Sequence, residues 1–234
     1  MREHLVFVLF APMGAFGSYA GHERRGSDLV PSRSAVLGLL GAALGIERAD
    51  ADGQAALRRY GVAARPLTHS AALRDYHSVQ TVPAKVKHPG SRRAAIDAIG
   101  REINTTITVR DYRTDVAVAV AVWGREERWS LEQVAAALRH PVFVLFLGRK
   151  SCPLAAPVNP CIVEAPNPVA ALRDCTAPIW LRHVADIAPG PITSDPFSGG
   201  TPDRVEQAPV EPLDRTVWHF GQGDVWHFER EADA

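Results

Sequence analysis

Pro31-Ser32-Arg33-Ser34 sets two hydroxyls and a guanidinium at the head of an apolar run with helical spacing. Free backbone N–H groups and the positive end of a helix dipole would join them, which is the chemistry of an anion site; a plain capped helix uses the same residues. Gly148-Arg149-Lys150-Ser151-Cys152-Pro153 follows a β-rich run and puts adjacent cations on a glycine-hinged turn, suited to a phosphate or a base. It has the look of a nucleotide-binding glycine loop, but the first Gly of G-x-x-x-x-G-K-[ST] is absent and no helix pattern follows, which argues against nucleoside triphosphate binding. Leu73-Arg74-Asp75-Tyr76-His77-Ser78 joins a stacking ring and a titratable imidazole to an arginine; the competing reading is a hinge in which Asp75 pairs Arg74. Lys85, Lys87, His88, Arg92, Arg93, Arg101, Arg110 and Arg113 make a basic arm, or simply a solvated charged loop. For hydrolysis the chain offers no G-x-S-x-G, no H-E-x-x-H and no paired-carboxylate pattern. Tyr76, His77 and Lys85 or Lys87 could still serve a metal-free ribonuclease through in-line attack by a 2′-hydroxyl. His219 and His227 lack further ligands for a metal, and neither a structural metal nor a cofactor is expected.

These side chains need elements to hold them. His4 to Ala11 reads as a central strand, and Ser32 caps a helix whose inward residues are Val36, Leu39, Leu40, Ala43 and Leu44. Gly38 and Gly41 within it point to close packing. A short helix near Gln54 to Tyr60 precedes an extended stretch from Val62 to Leu67. Residues 74–113 hold 8 Lys+Arg against 4 Asp+Glu with little apolar periodicity, so they read as an arm rather than core. Asp115 to Trp123 alternates valine and alanine as a period-2 strand, with alanine allowing close cover of its second face. Ser130 caps a helix with Gln133 at the capping-box position and Leu131, Val134, Ala135 and Leu138 inward, ended by His140-Pro141. Val142 to Leu147 then reads as a strand. The order strand, helix, strand, excursion, strand, helix, strand predicts an α+β fold, ferredoxin-like or RRM-like (βαββαβ), over residues 1–160. Residues 161–234 read as an irregular, Pro-rich β and loop part. The near-repeat Val217-Trp218-His219-Phe220 and Val225-Trp226-His227-Phe228 around Gly221-Gln222-Gly223-Asp224 predicts a closing hairpin.

The chain has 234 residues, 46% hydrophobic and 22% charged, a globular balance with enough apolar material for a core. No run has the length of a membrane helix and the apolar start lacks a cleavage site, so a cytoplasmic protein without membrane contact is expected. Cys152, Cys161 and Cys175 fit neither a paired framework nor a zinc site and read as thiols. Net charge is zero but unevenly spread: residues 1–113 carry 16 basic against 10 acidic side chains, and residues 114–234 carry 10 against 16. The N-terminal half is therefore the candidate anion binder, and 23 of the 26 basic residues are arginine, which suits bidentate contacts. The acidic half would face basic surfaces of other proteins, through side chains such as Glu206 and Glu211.

Taken in order, A-P-M-G-A-F-G, E-R-R, P-S-R-S-A-V-L-G-L-L-G-A-A-L-G-I-E-R, L-R-D-Y-H-S-V and F-L-G-R-K-S-C-P make the chain similar to the CasD family of CRISPR-associated proteins, the Cas-five subunit of the type I-E Cascade complex. The likeness runs from residue 4 to about 160. It implies a repeat-associated (RAMP) protein with a ferredoxin-like palm and an extended basic thumb over residues 78 to about 113. It also implies a non-catalytic subunit that binds the 5′ handle of the CRISPR RNA, contacts the CasC backbone subunit and the CasA large subunit, and meets target DNA indirectly through the complex. The family's P-T-R-S block falls on Pro31, Ser32, Arg33 and Ser34, and its L-G-R-R-S-C-P block on Leu147 to Pro153, including Gly148, Arg149, Lys150 and Ser151. Handle or thumb contacts are thus expected from these, from Arg24 and Arg25, from Arg74, Tyr76 and His77, and from Lys85, Lys87, Arg92, Arg93 and Arg113. The family's G-P-x-Q-[SA]-W-G becomes Ala11 to Gly17 here, without the Gln and with Phe16 for Trp, where Phe16 either stacks or packs. Relatives that cleave the repeat themselves keep the endoribonuclease alternative, with Tyr76, His77 and Lys85, open.

Overall fold

Between residues 116 and 122 valine and alanine alternate, and that alternation sets the layers of the fold. The computed structural model describes residues 1–17, 23–83, 86, 90–100, 102–124, 128–175, 177–183, 186–217 and 219–229. Among these the elements run β1 (Arg2–Gly14), β2 (Arg24–Arg25), α1 (Arg33–Leu44), α2 (Ala51–Leu57), β3 (Gly61–Pro66), β4 (Ala72–Thr81), α3 (Arg92–Ile99), β5 (Asn104–Trp123), α4 (Leu131–Arg139), β6 (Cys161–Ala165), α5 (Pro168–Arg173), α6 (Ile179–Arg182), β7 (Ile192–Ser194), β8 (Arg204–Asp214) and β9 (His219–Phe228). One large sheet in the order β6-β1-β5-β3-β7-β9-β8 crosses the molecule with antiparallel neighbours.

Val116, Val118, Val120 and Val122 join Leu5, Phe7 and Leu9 of β1 on one face, under α1 and α4. Each buried valine contributes roughly 1.5–3 kcal/mol of transfer free energy. Ala117, Ala119 and Ala121 share the other face with Val6 and Val8, where methyl-sized side chains let Val169, Ala171 and Leu172 of α5 and Leu181 of α6 settle close. The caps follow the sequence. The Ser32 hydroxyl accepts the Ala35 N–H, and Ser130 with Gln133 forms the reciprocal capping box. Gly41 lets Leu57 of α2 approach, a Cβ there meeting its methyl at 3.0 Å.

Three expectations are corrected. Val142 to Leu147 is not a strand: the N–H groups of Val142 and Phe143 bond the Ala43 and Ala42 carbonyls at 3.0 Å, so this run closes the C-terminal end of α1. Val142, Phe143 and Val144 stay 66%, 44% and 79% exposed. The edge place beside β1 goes to β6 instead, beyond the expected boundary at 160, and β7 to β9 continue the same sheet. The closing hairpin exists, but between β8 and β9: His219 and Phe220 open β9, Trp226, His227 and Phe228 close it, and the glycines lie inside it. Gly221 and Gly223 sit against Leu213 and Val210 side chains of β8, at 3.2 and 3.1 Å from a built Cβ, so they serve close approach and not a turn.

Candidate nucleic-acid interface

β5 is twenty residues long because it serves two partners. Its second half lies in the main sheet between β1 and β3, and its first half pairs β4 over ten positions, from Ala72 opposite Arg113 to Thr81 opposite Asn104, with the short β2 on its other side only at Val109 and Arg110. The result is a projecting two-stranded ribbon about 30 Å long. The partner change falls at Asp115, a non-glycine residue at φ 53. There the Thr68 hydroxyl donates to the Asp115 carbonyl (2.6 Å) and accepts the Ala117 N–H (3.1 Å), bridging the break in the ladder. Arg74-Asp75-Tyr76 and Arg110-Asp111-Tyr112 run antiparallel in register, so Arg74 opposes Asp111 and Asp75 opposes Arg110. Opposite charges across the strands favour this register over its slips.

The base of the ribbon gathers cations from four segments. The Asp111 carboxylate accepts Nε of Arg74 at 2.8 Å, and Nε and Nη2 of Arg24 at 3.0 and 2.9 Å. Those hydrogen bonds, Arg74 first and Arg24 next, hold its pKa down at about 2. Arg24 is delivered by β2, which runs parallel to Val109 and Arg110. Arg149 lies over the Tyr112 ring, 4.4 Å from its centroid, with Nη1 3.5 Å from the Asp111 carbonyl oxygen. Its loop is closed by Leu147 N–H to Cys152 O and Cys152 N–H to Arg149 O, both 2.8 Å, and docked by Ala15 N–H to Leu147 O at 3.0 Å. Gly148, at φ 80, is needed for that docking, since a Cβ would overlap the Ala15 carbonyl.

A cleft of about 750 Å³ opens here, lined by Arg24, Gly26, Ser27, Asp28, Ala72, Leu73, Arg74, Asp111, Tyr112 and Arg113. Arg24 and Arg74 remain 64% and 49% exposed, and Nη1 of each has no partner among the described residues. Thr108 Oγ1, Arg110 Nε and Arg113 Nε, all on β5, are buried without a hydrogen-bond partner among the described residues. Outward guanidinium edges with orphaned donors suit the phosphates and bases of a single strand.

The remaining expected residues divide. Arg25 is exposed on β2 beside the cleft, and Lys150 and Ser151 are exposed on the Arg149 loop. Arg33 is not available to a phosphate: its side chain is 12% exposed and meets Glu211 at 2.9 Å, the Tyr60 carbonyl at 2.5 Å, Asp195 and the Arg58 carbonyl. Ser32 and Ser34 bond each other at 3.0 Å, and the Ser34 carbonyl accepts from Arg215. Of the acidic pair, Glu211 turns inward to Arg33, whereas Glu206 stays on the surface and pairs within the sheet with Arg204 (2.9 Å) and His227 (3.2 Å). Adjacent on β4, Tyr76 and His77 face opposite sides of the ribbon; Tyr76 is 69% exposed, and His77 bonds Asp75 at 2.5 Å. Asp75 therefore pairs His77, not Arg74. Arg92 and Arg93 lie on α3 at the far end, with Arg93 3.5 Å from Asp97. Lys85 and Lys87 lie outside the described residues. Phe16 packs, 2% exposed. Sequence reading missed Asp111, Tyr112 and Ser27; the repeated Arg-Asp-Tyr flanking the arm was the available signal.

Comparison with known proteins bears on this arrangement. The family described as CRISPR-associated protein (Cas_Cas5) matches residues 4–225. The chain is 33% identical over 183 residues to the CRISPR system Cascade subunit CasD of Escherichia coli (strain K12), covering 74% of this chain and 76% of that one. In fold it is similar to a chain of a CRISPR RNA-guided surveillance complex, with TM-score 0.65 and 20% identity over 99% of this chain and 91% of the other. A second solved structure, described as a crystal structure of a Cas protein, matches with TM-score 0.54 and 23% identity over 97% and 94%.

Proposed function

The chain belongs to the Cas5 family of CRISPR-associated proteins, and on that premise we propose that it is the CRISPR RNA-binding structural subunit of a type I-E Cascade complex, gripping the 5′ handle in the Arg24–Arg74–Arg149 cleft. The observation that carries the reading is the convergence of Arg24, Arg74, Arg113 and Arg149 with Tyr112 at the root of the ribbon. A ferredoxin-like palm is proposed with it. What supports the palm is the local order β6-β1-β5-β3, all antiparallel, with α1 following β1 and α4 following β5. In this reading the ribbon is the thumb. The CasC backbone subunit and the CasA large subunit are its proposed neighbours, target DNA is met through the assembled complex, and the setting is the cytoplasm.

A non-catalytic role is part of the proposal. Strand alternation separates Tyr76 from His77, and in-line attack by a 2′-hydroxyl on the adjacent phosphorus needs base and acid on one scissile bond. The test is co-expression of the tagged chain with the genes beside it and a repeat-spacer array, followed by sequencing of the bound RNA ends. Co-purifying subunits and a uniform RNA whose 5′ ends persist in His77→Ala are expected. Ends that change in His77→Ala, or that the chain generates alone, would make it a nuclease.

A further inference from the structure

A carboxylate in the wall of a polyanion site is out of place electrostatically unless it organises the cations around it. Asp111 stands at that position, its side chain 12% exposed, and it has no spare capacity to read a base. Oδ1 accepts Nε of Arg74, while Oδ2 accepts Nε and Nη2 of Arg24 and lies 3.4 Å from Nη2 of Arg74. Both guanidinium forks are thus docked on one acceptor, and the Nη1 edge of each is left for the cleft. The two arginines come from separate strands and would repel each other without the shared anion. The Asp111 backbone reaches the third cation as well, through its carbonyl and Nη1 of Arg149.

We infer that Asp111 is the positioning residue of the RNA cleft, fixing the spacing and direction of Arg24 and Arg74 before RNA arrives. The inference rests on the RNA-binding reading given above. Its consequence has a sign opposite to bulk electrostatics. Removing a negative charge from an RNA site raises affinity by screening arguments alone. Releasing two long side chains lowers it, by roughly two- to tenfold for each arginine that must be immobilised on binding.

The experiment measures binding of a fluorescent single-stranded RNA of the repeat's 5′-handle sequence to the purified full chain at fixed salt. It compares wild type, Asp111→Asn, the double variant Arg24→Gln/Arg74→Gln, and the triple variant, with thermal melting as the report on folding. Asp111→Asn is expected to bind several-fold more weakly than wild type while melting cooperatively, and to cause no further loss in the double-variant background. Equal or tighter binding by Asp111→Asn overturns the inference. So does an equal loss in both backgrounds, since Asp111 would then act without the arginines. Should Asp111→Asn not fold, the single variants Arg24→Gln and Arg74→Gln decide: a shared carboxylate requires their effects to be non-additive, and additive losses refute it. Failure of wild type to bind the RNA at all would instead strike the underlying function.

Discussion

Arg33 has 12% of its side chain exposed and meets two carboxylates and two carbonyls, whereas Arg149 lies over an aromatic ring at an open cleft. The sequence motifs around them are alike in composition, so residue type and spacing alone could not separate the two tasks. What separates them is where the C-terminal carboxylates land, a long-range fact. Arg33→Ala is expected to lower unfolding free energy by about 3–5 kcal/mol, because Asp195 is left uncompensated and Glu211 keeps, among the described residues, only Arg58, at 3.8 Å. Denaturant titration measures this. Arg149→Ala should melt close to wild type yet hold RNA more weakly, with the slope of log K against log salt reduced by roughly 0.7. An unchanged slope would return Arg149 to a packing role. Gly148→Ala combines the φ of 80 with overlap on the Ala15 carbonyl, and should cost more than about 1–2 kcal/mol. It should also lower RNA affinity, because Arg149 moves with its loop.

Elements were legible wherever one face is buried and the other is chemically distinct. The valine and alanine alternation in β5, the Ser32 cap and the Ser130–Gln133 box all report local rules that tertiary contacts reinforce. The failures share a cause: Val142 to Val144 and the Trp-His-Phe repeat have strand composition, but partners distant in sequence decide their use. The ribbon carries no period-2 signal and reads as an arm because β4 buries neither face, and of its partner strand only Asp111 and Tyr112 at the root are buried. The junction that follows β7, where Asp195 meets Arg33 and the Val62 N–H, carries a pH signature. Burial pushes the Asp195 carboxyl up to about 6, with Arg33 opposing and Glu211 adding repulsion. The native state then binds a proton that the unfolded chain has released, so stability falls as pH rises from about 4 to about 6. A two-unit shift corresponds to about 3 kcal/mol at most. The thermal midpoint of wild type should therefore decline across that window, and Asp195→Asn should remove the decline. Parallel profiles for the two proteins would show that Asp195 does not titrate there.

At the scale of the whole molecule, the basic and acidic halves of the chain do not form separate bodies. Apart from the Arg149 loop, the cleft is built by residues from the N-terminal half, where basic side chains outnumber acidic ones by 16 to 10. The C-terminal half supplies Asp195 and Glu211 to anchor Arg33, β6 to close the edge beside β1, and α5 and α6 to cover the alanine face. A division at residue 160, which the proline pattern favours, would therefore cut through one sheet and the core packed on its alanine face. A fragment ending at residue 160 loses β6 through β9 and both helices over Val6, Val8, Ala117, Ala119 and Ala121. It also strands Arg33 in a partly apolar site without either carboxylate. Uncovered apolar sheet and an orphaned cation each cost several kcal/mol, and together they approach the roughly 5–15 kcal/mol that stabilises a typical domain. The fragment is expected to aggregate or to lack a cooperative melt by circular dichroism. A soluble fragment with a sharp thermal transition and wild-type RNA affinity would show instead that the first 160 residues fold alone, and that the C-terminal half is an accessory to the cleft.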